Sequence, residues 1–427
     1  MTDHYRLYLD ILHLYRSETV AKFSATAKRT LYGLTTAEKL VRAVKSILKS
    51  IKNTFYFFDK KNIYQKQLLG AHWIYLIGNN NLNSLSFIKK ELPDTIYVTP
   101  FKFSKKDIDI IPLFLPYHFL FLLKNIPTFF SLLLQKEYPI QRCWDAVVRT
   151  LGQYESAYYL LKKYRPAAIS FSNDHTIEAR AMLLAANALD IPTFYVQHAC
   201  VRPDFPPLKF SVSFLEGQDA LDKYRQSGPV DGAVALTGVP RITAYLNQKN
   251  KSTTIKKIGL CSNLLDEASV IEKIMYELSQ AFPDLRLTYR PHPSDQRTII
   301  LPAGVDVSNS REENPFAFLV KQDAVIAGNT SIHYEAVLLN VLSIYYKFDP
   351  DGATEDMYSF VKNKLVPAAN NPDELIKLLN NQRYQRTVNI EKASYYDATI
   401  GTLDEGRSHQ LVLEKITAFL HQHQAKI

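Results

Sequence analysis

The residue with the clearest potential for chemistry is His292, which lies between two prolines at the end of a predicted strand. The stretch 288–295 reads Thr-Tyr-Arg-Pro-His-Pro-Ser-Asp, and the prolines hold this loop open. An imidazole in such a loop can donate a hydrogen bond to a phosphate oxygen, and Arg290 would add positive charge. The alternative is an ordinary loop histidine capped by Ser294 or Asp295, because Pro-His-Pro alone is only a rigid loop.

A second polar loop follows the predicted strand 323–327. Its sequence is Gly-Asn-Thr-Ser, residues 328–331. A helix is predicted to begin at Ser331. Thr330 and Ser331 could contact the same phosphate through their hydroxyls and backbone N–H groups, because a helix N-terminus attracts anions. A plain helix cap is the alternative. Glu335 could hold ribose hydroxyls or be an exposed helix carboxylate, and His333 is expected to face solvent.

Small polar residues also follow the predicted strand 257–260. Ser262 and Asn263 in that loop would let the backbone approach a phosphate closely, although the motif is weak. Parallel strands that direct such loops at one crevice form a nucleotide-binding half-domain. The sequence contains no GxxxxGK[ST] loop and no GxGxxG after a strand, which disfavours P-loop enzymes and dinucleotide enzymes.

Two strand ends in the first half of the chain carry candidate residues for the opposite side of the predicted cleft. Asp174 and His175 follow the strand 167–171. Asp174 stands where a general base must deprotonate an acceptor hydroxyl, and the alternative is a cap of the next helix. His198 ends the next strand, and Arg202 lies in the loop after it. We expect His175, His198 and Arg202 to contact the acceptor or the donor sugar. The alternative for the loop that contains Arg202 is a stiff connection between two strands.

Composition limits the class of protein. The 427 residues are 46% hydrophobic and 22% charged, which is typical of a globular chain with two or more domains. The net charge of +9 is spread along the chain. Cys143, Cys200 and Cys261 lie far apart, which indicates a reducing compartment and no zinc site. Residues 1–14 are too polar for a signal peptide. We therefore predict a cytoplasmic protein that needs no metal and no cofactor and binds no nucleic acid.

The most apolar stretch, 110–134, is interrupted by prolines, a histidine and a lysine, so its pieces are too short to span a bilayer. Packed helices are the first explanation. The alternative is a peripheral contact with the inner face of the cytoplasmic membrane, in which aromatic side chains enter the interface beside basic ones. The residues of this contact would be Phe114, Phe119, Phe121, Phe129, Phe130, Lys102, Lys105, Lys106 and Lys124.

The alternation of predicted strands and helices, in which the last predicted strand is 364–367, indicates an α/β fold with two Rossmann-like, doubly wound domains that face a central cleft. Residues 1–68 are predicted to form a basic helical N-terminal extension, and residues 69–247 the first Rossmann-like domain. Residues 255–390 form the second such domain. Residues 391–427 form a tail whose helix packs back on the first domain.

The Arg-Pro-His-Pro loop at 290–293 and the Asn-Thr-Ser loop before a Glu-Ala helix, 329–336, resemble GT-B glycosyltransferases of bacterial surface polysaccharide assembly. These enzymes build capsule and lipopolysaccharide. The resemblance is to the group that contains Kdo transferases, sialyltransferases and CDP-glycerol-type polymerases, and it covers roughly residues 165–410. It implies that the first domain binds the acceptor and the second binds the nucleotide sugar.

In the sialyltransferase branch, a His-Pro motif and a Ser/Thr pair at a helix start contact the CMP phosphate. The resemblance implies these roles for His292 and for Thr330 with Ser331. It also implies that the base is a carboxylate of the first domain, for which Asp174 is the best match by position. The acidic-acidic-Gly triplet of that branch occurs here only at 404–406, near the C-terminus, and the role is not transferred to it.

The function expected from this resemblance is transfer of a CMP-activated ulosonic acid (Kdo, sialic or pseudaminic type) to a hydroxyl of a growing surface glycan or glycolipid by metal-independent displacement. A UDP-sugar transferase or a CDP-glycerol or ribitol phosphotransferase would keep the fold, with Arg241 and Lys347 as candidates for the extra phosphate charge. A UDP-sugar 2-epimerase shares the double-Rossmann architecture. A polysaccharide-binding scaffold without catalysis is the remaining alternative.

Overall fold

The computed structural model describes residues 3–16, 35–60, 64–101, 103, 108–115, 117–134, 143–348 and 356–424. Lys102, Lys105 and Lys106 of the hypothetical membrane contact lie outside these ranges. Within them, no helix is long and apolar enough to cross a membrane.

The first half of the chain combines helices with one parallel sheet. Its helices are α1 (Asp3–Ile11), α2 (Thr36–Lys60), α3 (Gln65–Leu68), α4 (Asn79–Glu91), α5 (His118–Lys124), α6 (Ile126–Leu134), α7 (Trp144–Thr150), α8 (Gln153–Tyr164), α9 (Ile177–Asn187) and α10 (Gln218–Ser227). Its strands are β1 (His72–Tyr75), β2 (Thr95–Thr99), β3 (Ile110–Pro112), β4 (Ala168–Phe171), β5 (Thr193–Val196), β6 (Val212–Leu215) and β7 (Ala233–Leu236). Short 3-10 helices span His13–Arg16 and Pro240–Gln248.

The strands of the first sheet lie in the order β3-β2-β1-β4-β5-β6-β7, and every pair is parallel. Every residue of β4, β5 and β6 is buried, because a parallel sheet of this kind is covered by helices on both faces. The direction of the strand order changes between β1 and β4. Ligands of such sheets bind outside the carboxyl ends of the strands at this switch point.

The second half repeats the plan. Its strands are β8 (Lys257–Cys261), β9 (Arg286–Arg290), β10 (Asp306–Val307), β11 (Ala324–Ala327), β12 (Leu342–Tyr346) and β13 (Ala368–Ala369). Its helices are α11 (Ala268–Ala281), α12 (Pro315–Leu319), α13 (Ile332–Leu338), α14 (Pro372–Gln382), α15 (Ile390–Ala393) and α16 (Ser408–Gln424). The parallel order is β10-β9-β8-β11-β12-β13, so the switch point lies between β8 and β11. Two doubly wound parallel sheets confirm the predicted fold class.

One predicted strand is wrong. The apolar residues 364–367 were expected to form a strand, but the edge strand β13 begins only at Ala368. Lys364 has a left-handed backbone with φ of 58°, and the Leu365 N–H donates to the Phe360 carbonyl oxygen at 2.9 Å. These turn bonds consume the backbone groups that a strand needs, so Leu365 and Val366 are buried in a loop instead.

The C-terminal segment returns to the first sheet. The Asp219 N–H donates to the Tyr395 carbonyl oxygen at 2.9 Å. On α16, Val412 and Ile416 are fully buried in one cluster with Ile74. The segment therefore fastens the end of the chain to the first half after the second sheet is complete.

Gly217, which follows β6, has no space for a side chain beside this returning segment. A Cβ atom there would lie 2.5 Å from the Tyr396 carbonyl carbon and oxygen. Because these are backbone atoms, they cannot rotate away. We expect Gly217→Ala to lower the free energy of unfolding by about 1–3 kcal/mol, as overpacking does. Urea denaturation measures this, with Gly78→Ala as control because nothing lies within 4 Å of its added Cβ. Equal midpoints for the two variants would contradict the tight fit.

Candidate functional site

The carboxyl ends of the first sheet face the second half of the chain. Glu216, just after β6, accepts a hydrogen bond from the Tyr334 hydroxyl at 2.6 Å. Lys223 of α10 donates to the Tyr358 carbonyl oxygen at 3.0 Å. The end of β6 therefore contacts α13, the helix that follows the predicted phosphate loop.

Asp174 and His175 form a hydrogen-bonded pair at the end of β4. The His175 Nδ1 lies 2.8 Å from the Asp174 Oδ1, and the Tyr224 hydroxyl donates to Asp174 Oδ2. Burial opposes ionisation of Asp174, but the hydrogen bond and charge of His175, with the Tyr224 hydroxyl, hold its pKa below the ordinary value. The carboxyl is therefore an anion that orients the imidazole.

The two side chains of this pair differ in exposure. Its side chain is only 1% exposed and both oxygens are occupied, whereas the His175 side chain is 21% exposed. Among the described residues, His175 Nε2 has no hydrogen-bond partner. The partly exposed group of the pair is thus the His175 imidazole, while the Asp174 carboxylate lies buried behind it. The ring of His175 stacks on Phe205 with centroids 4.4 Å apart, which fixes its plane.

His198, at the end of β5, lies between this pair and the second half of the chain. Burial lowers its pKa to about 4, and the charges of His175 and Arg241 act in the same direction. The ring is therefore neutral at pH 7. Its Nδ1 is buried and has no hydrogen-bond partner in the part of the chain that the structure describes, so His198 keeps an unused hydrogen-bonding atom near the His175 imidazole.

Arg241 joins the two halves. It is paired with Glu216 of the first half, and its Nη2 lies 3.1 Å from Glu335 Oε1 in the second. It also donates to the Tyr334 hydroxyl. Although burial opposes it, the two carboxylates hold the pKa of Arg241 well above its ordinary value. Its charge is thus neutralised by Glu216 and Glu335, so Arg241 does not supply the extra phosphate charge considered for a diphosphate donor.

The His292 loop lies at the end of β9, next to β8 in the sheet. The Ser294 N–H donates to His292 Nδ1 at 3.1 Å, so Nδ1 carries no proton and Nε2 carries it. Burial lowers the pKa of His292, with Asp295 opposing the shift. His292 is therefore a neutral imidazole with Nε2–H as donor, which is the form the phosphate role needs. The hydrogen bond from the Ser294 N–H was the alternative explanation for this histidine. It is compatible with the phosphate role, because it keeps the proton on Nε2.

The Arg290 guanidinium is held by groups outside the His292 loop, and its role at the phosphate stays a prediction. Its Nη1 donates to Ser308 Oγ at 2.7 Å and its Nη2 to the Glu313 carbonyl oxygen at 2.8 Å. Its guanidinium also lies over the Phe318 ring, 5.1 Å from the centroid. Arg290 is buried and holds the β9 end against the 308–313 loop, because both terminal nitrogens are used there.

Sequence reasoning missed Arg297, which links the His292 loop to the switch point. Its Nη2 donates to the Asn263 carbonyl oxygen at 3.0 Å, and its Nη1 donates to the Asp266 carbonyl oxygen. It also pairs with Asp295 at 2.6 Å. No strand-end rule identifies it, since Arg297 lies seven residues beyond the end of β9.

Ser262 and Asn263 shape the loop after β8. The Ser262 Oγ lies 2.8 Å from the Tyr289 hydroxyl. Asn263 Nδ2 donates to the Asn329 carbonyl oxygen at 3.1 Å, across the switch point. Both side chains are therefore committed to holding the loops together, and any contact with nucleotide falls to the backbone of this loop.

The Thr330-Ser331 loop follows β11 on the other side of the switch point. Ser331 Oγ donates to Glu335 Oε1 at 3.3 Å, the oxygen that Arg241 also contacts. Glu335 is buried, which excludes the exposed-carboxylate alternative. Its Oε2 has no hydrogen bond from the residues that the structure describes, so that oxygen remains for a ribose hydroxyl.

His333 is fully buried, contrary to the expectation that it faces solvent. Its Nε2 lies 2.8 Å from the Gly328 carbonyl oxygen and its Nδ1 lies 2.7 Å from Ser343 Oγ. Burial lowers its pKa to about 4. The first turn of α13 packs onto the sheet, which places this side chain inside.

Arg202 is the remaining predicted site residue. It forms a bidentate pair with Asp204, and its Nη1 lies 3.8 Å from Met357 Sδ of the second half. The Met357 N–H donates to Asn329 Oδ1 at 2.8 Å. The structure therefore brings the Arg202 loop to the Asn329 loop, and its contact with sugar stays a prediction.

No family model matches the sequence, and no curated protein matches it. Solved structures share the fold. A candidate UDP-N-acetylglucosamine 2-epimerase from Listeria monocytogenes is similar with a TM-score of 0.55 and 13% identity, over 82% of this chain and 97% of that chain. The wall teichoic acid polymerase TagF, soaked with CDPG, is similar with a TM-score of 0.52 and 12% identity, over 91% of this chain and 98% of that one.

The glycotransferase of kitacinnamycin is also similar, with a TM-score of 0.51 and 14% identity, over 83% of this chain and 99% of that one. At these identities the likeness establishes the fold alone. This chain therefore has the GT-B fold of two Rossmann-like domains, which these transferases and the epimerase share.

Proposed function

We propose that the protein is a glycosyltransferase that moves a sugar from a nucleotide donor to a hydroxyl of a surface glycan or glycolipid. The observation that carries the proposal is the Asp174–His175 pair, which lies on the acceptor side of the cleft with Nε2 of the imidazole unpaired. A neutral His292 donor, Thr330 and Ser331 lie on the nucleotide side. A base and a leaving-group site on opposite domains are what displacement at a sugar carbon requires.

In the proposed mechanism, His175 Nε2 accepts the proton of the acceptor hydroxyl as the new glycosidic bond forms. Asp174 accepts a hydrogen bond from Nδ1 and stabilises the imidazolium that results. The bond between the sugar and the phosphate oxygen breaks on the other face, and His292 Nε2–H with the Thr330 hydroxyl and the Ser331 backbone N–H binds the departing nucleotide phosphate.

We infer that the donor is a CMP-activated ulosonic acid. Of the cations raised for the phosphate site, Arg290 and Arg241 are both engaged with protein groups. Lys347, directly after β12, has no ion-pair partner among the residues described. One ammonium and neutral donors suit the single phosphate of CMP better than the diphosphate of a UDP-sugar, which carries more charge.

Calorimetric titration with CMP, CDP, UDP and GDP tests this inference. We expect CMP to bind and to raise the thermal midpoint, because a ligand that binds only the folded protein stabilises it. Binding of UDP with no response to CMP would move the donor to a UDP-sugar. Binding of CMP is expected for a CDP-linked donor as well, because that transfer also releases CMP, and incubation with each donor class separates the two. The absence of binding by any of the four nucleotides would overturn the nucleotide site itself.

A second candidate is transfer of an alditol phosphate from a CDP-linked donor, with the same base. It is favoured by the likeness to TagF, which extends over 91% of this chain. The epimerase alternative shares the fold but needs no acceptor. Incubation with each donor class separates them, since an epimerase changes the UDP-sugar in the absence of acceptor and an alditol phosphotransferase releases CMP from a CDP-linked donor.

We also propose the peripheral contact with the inner face of the cytoplasmic membrane that is predicted for residues 110–134, and we extend it to α2, whose Tyr56 stacks on Phe114. Ala43 and Ser50 bury one face of this helix, while Leu48 and Phe55 on the opposite face are 58% and 72% exposed. Basic residues flank that face, which is the pattern of helices that lie in an anionic interface. The flanking basic residues are Lys45 and Lys52.

We expect Leu48→Ser with Phe55→Ser to weaken binding to vesicles of phosphatidylglycerol and phosphatidylcholine by at least about tenfold, because two large apolar side chains no longer leave water. Vesicle flotation measures the bound fraction. Tyr276→Ser is the control, because Tyr276 is also exposed, at 57%, but lies on α11 of the second half. Equal flotation of the α2 variant and the control would exclude α2 as the contact.

A further inference from the structure

A cavity of about 610 Å³ lies in the second half of the chain, away from the inter-domain cleft. It is bounded by α13, by the start of β12 and by the loops before β13 and before α15. Its wall is mainly apolar and includes Val337, Leu342, Val361 and Val388. Cavities of this size hold small organic molecules. The nucleotide loops lie at the opposite, carboxyl edge of the same sheet.

Lys364 lies at this cavity in an unusual backbone conformation. Its φ is 58°, a left-handed value that costs a non-glycine residue about 1–3 kcal/mol and tends to mark functional positions. The Asn389 side chain donates to its carbonyl oxygen at 2.7 Å, which helps to hold it there. Its ammonium has no ion-pair partner among the described residues. The cavity thus combines an apolar interior with one unpaired cation at its edge.

The wall of the cavity is connected to the phosphate loop by hydrogen bonds. Ser343, which lines the cavity, is bonded to His333, and His333 is bonded to the Gly328 carbonyl oxygen. A carbonyl oxygen only accepts, so His333 Nε2–H is the donor to Gly328. Its Nδ1 is then the acceptor, and the Ser343 hydroxyl donates to it. Each bond therefore has a fixed direction from the cavity to the loop that begins at Gly328.

The Gly328 end of this connection is tightly fitted. A Cβ atom at Gly328 would lie 2.8 Å from Asp266 Oδ1, and Asp266 Oδ2 accepts from the Asn263 N–H at 2.7 Å. A small displacement of the Gly328 carbonyl therefore moves both loops of the switch point. Packed contacts of this kind transmit displacements because they have little free space.

We propose that this cavity is a second ligand site, for a small amphipathic molecule with an apolar body and an anionic group that pairs with Lys364, and that its occupancy is relayed through Ser343 and His333 to the Gly328–Ser331 loop. The ligand site is independent of the proposed function. The consequence for nucleotide affinity rests on that function.

The first test uses 8-anilinonaphthalene-1-sulfonate, which has an apolar body and a sulfonate, and measures its fluorescence on titration with the full chain. We expect Val388→Trp, which fills the cavity, and Lys364→Glu, which reverses the charge, each to weaken the saturable binding about tenfold. Val307→Trp is the control, since Val307 is 61% exposed on the edge strand β10. Lys364 is itself exposed, so its variant keeps the test valid if Val388→Trp does not fold. Unchanged titration of Lys364→Glu would overturn the site.

The second test measures amide hydrogen exchange of the segment 327–333 with and without the same probe. We expect the probe to change exchange there in the wild-type protein but not in Ser343→Ala, which retains the cavity and removes the first donor. An equal change in both proteins would overturn the relay. This readout needs no nucleotide, so it separates failure of the relay from failure of the proposed function.

The third test is the affinity for CMP at saturating probe. We expect a change of about tenfold, and CMP must change the probe affinity by the same factor because coupling is reciprocal. An unchanged CMP affinity overturns the regulatory consequence. If CMP does not bind even without the probe, the proposed function fails, and the first two tests still decide the cavity and the relay.

Discussion

We expect His175→Ala to lower the turnover number of the transferase by about 10²- to 10⁴-fold, the usual contribution of a general base. The imidazole is the only part of the Asp174–His175 pair with an exposed nitrogen, so its removal leaves the acceptor hydroxyl without a proton acceptor. Asp174→Asn should have an effect of similar size, because the amide no longer stabilises the imidazolium. Single-turnover measurement of sugar transfer from the donor identified by titration gives both rates.

His421→Ala is the matched control for the base, since His421 is exposed on α16 and should leave the rate unchanged. His198→Ala separates the two histidines of the cleft. Loss of turnover in His198→Ala together with full turnover in His175→Ala would move the base to His198, whose Nδ1 is also unpaired. Full activity of both variants would leave the non-catalytic scaffold as the remaining explanation.

We expect His292→Ala to lower the turnover number by about 10²- to 10³-fold, the effect of removing one preorganised donor to a developing negative charge. The Ser294 N–H bond fixes the proton on Nε2, so the alanine variant loses both the donor and its orientation. The affinity for CMP should fall as well, because the free nucleotide carries the same phosphate. Calorimetry and single-turnover rates measure the two effects separately.

His292→Asn tests whether donation itself is responsible, since the amide N–H₂ can still donate although it is shorter. We expect it to recover part of the rate that His292→Ala loses. Unchanged CMP affinity and transfer rate in His292→Ala would show that the leaving phosphate binds elsewhere along the carboxyl edge of the second sheet. Lys347 would then be the next residue to substitute.

The sequence alone allowed the fold to be predicted. Polar residues directly after apolar strands marked the ends of β4, β5, β8, β9 and β11, because the carboxyl ends of parallel strands share one edge. It did not predict which atom at each end is available. Asp174 is occupied by Tyr224, which is 50 residues away in the chain, and Arg290 is occupied by Ser308 and Glu313.

Two other misplacements have the same physical origin. His333 was expected on the surface because it lies early in a short helix, but α13 is buried along its whole length. The strand expected at 364–367 has the apolar composition of an edge strand, yet Lys364 turns the chain there with a positive φ. Tertiary packing determines both conformations, and the local amino-acid composition does not predict that packing.

The return of the chain to the first sheet has a consequence for fragmentation. The polar connection around Gln248 and Lys249 is the first crossing between the halves, and the segment 395–424 is the second. Lys249 also pairs with Glu405 of that segment. A protease that cuts once between 249 and 254 would therefore produce two fragments that stay together as one particle, held by α16 against Ile74. We expect only a denaturant to separate them. The cut would therefore appear as two bands on a denaturing gel and would leave the sedimentation coefficient unchanged.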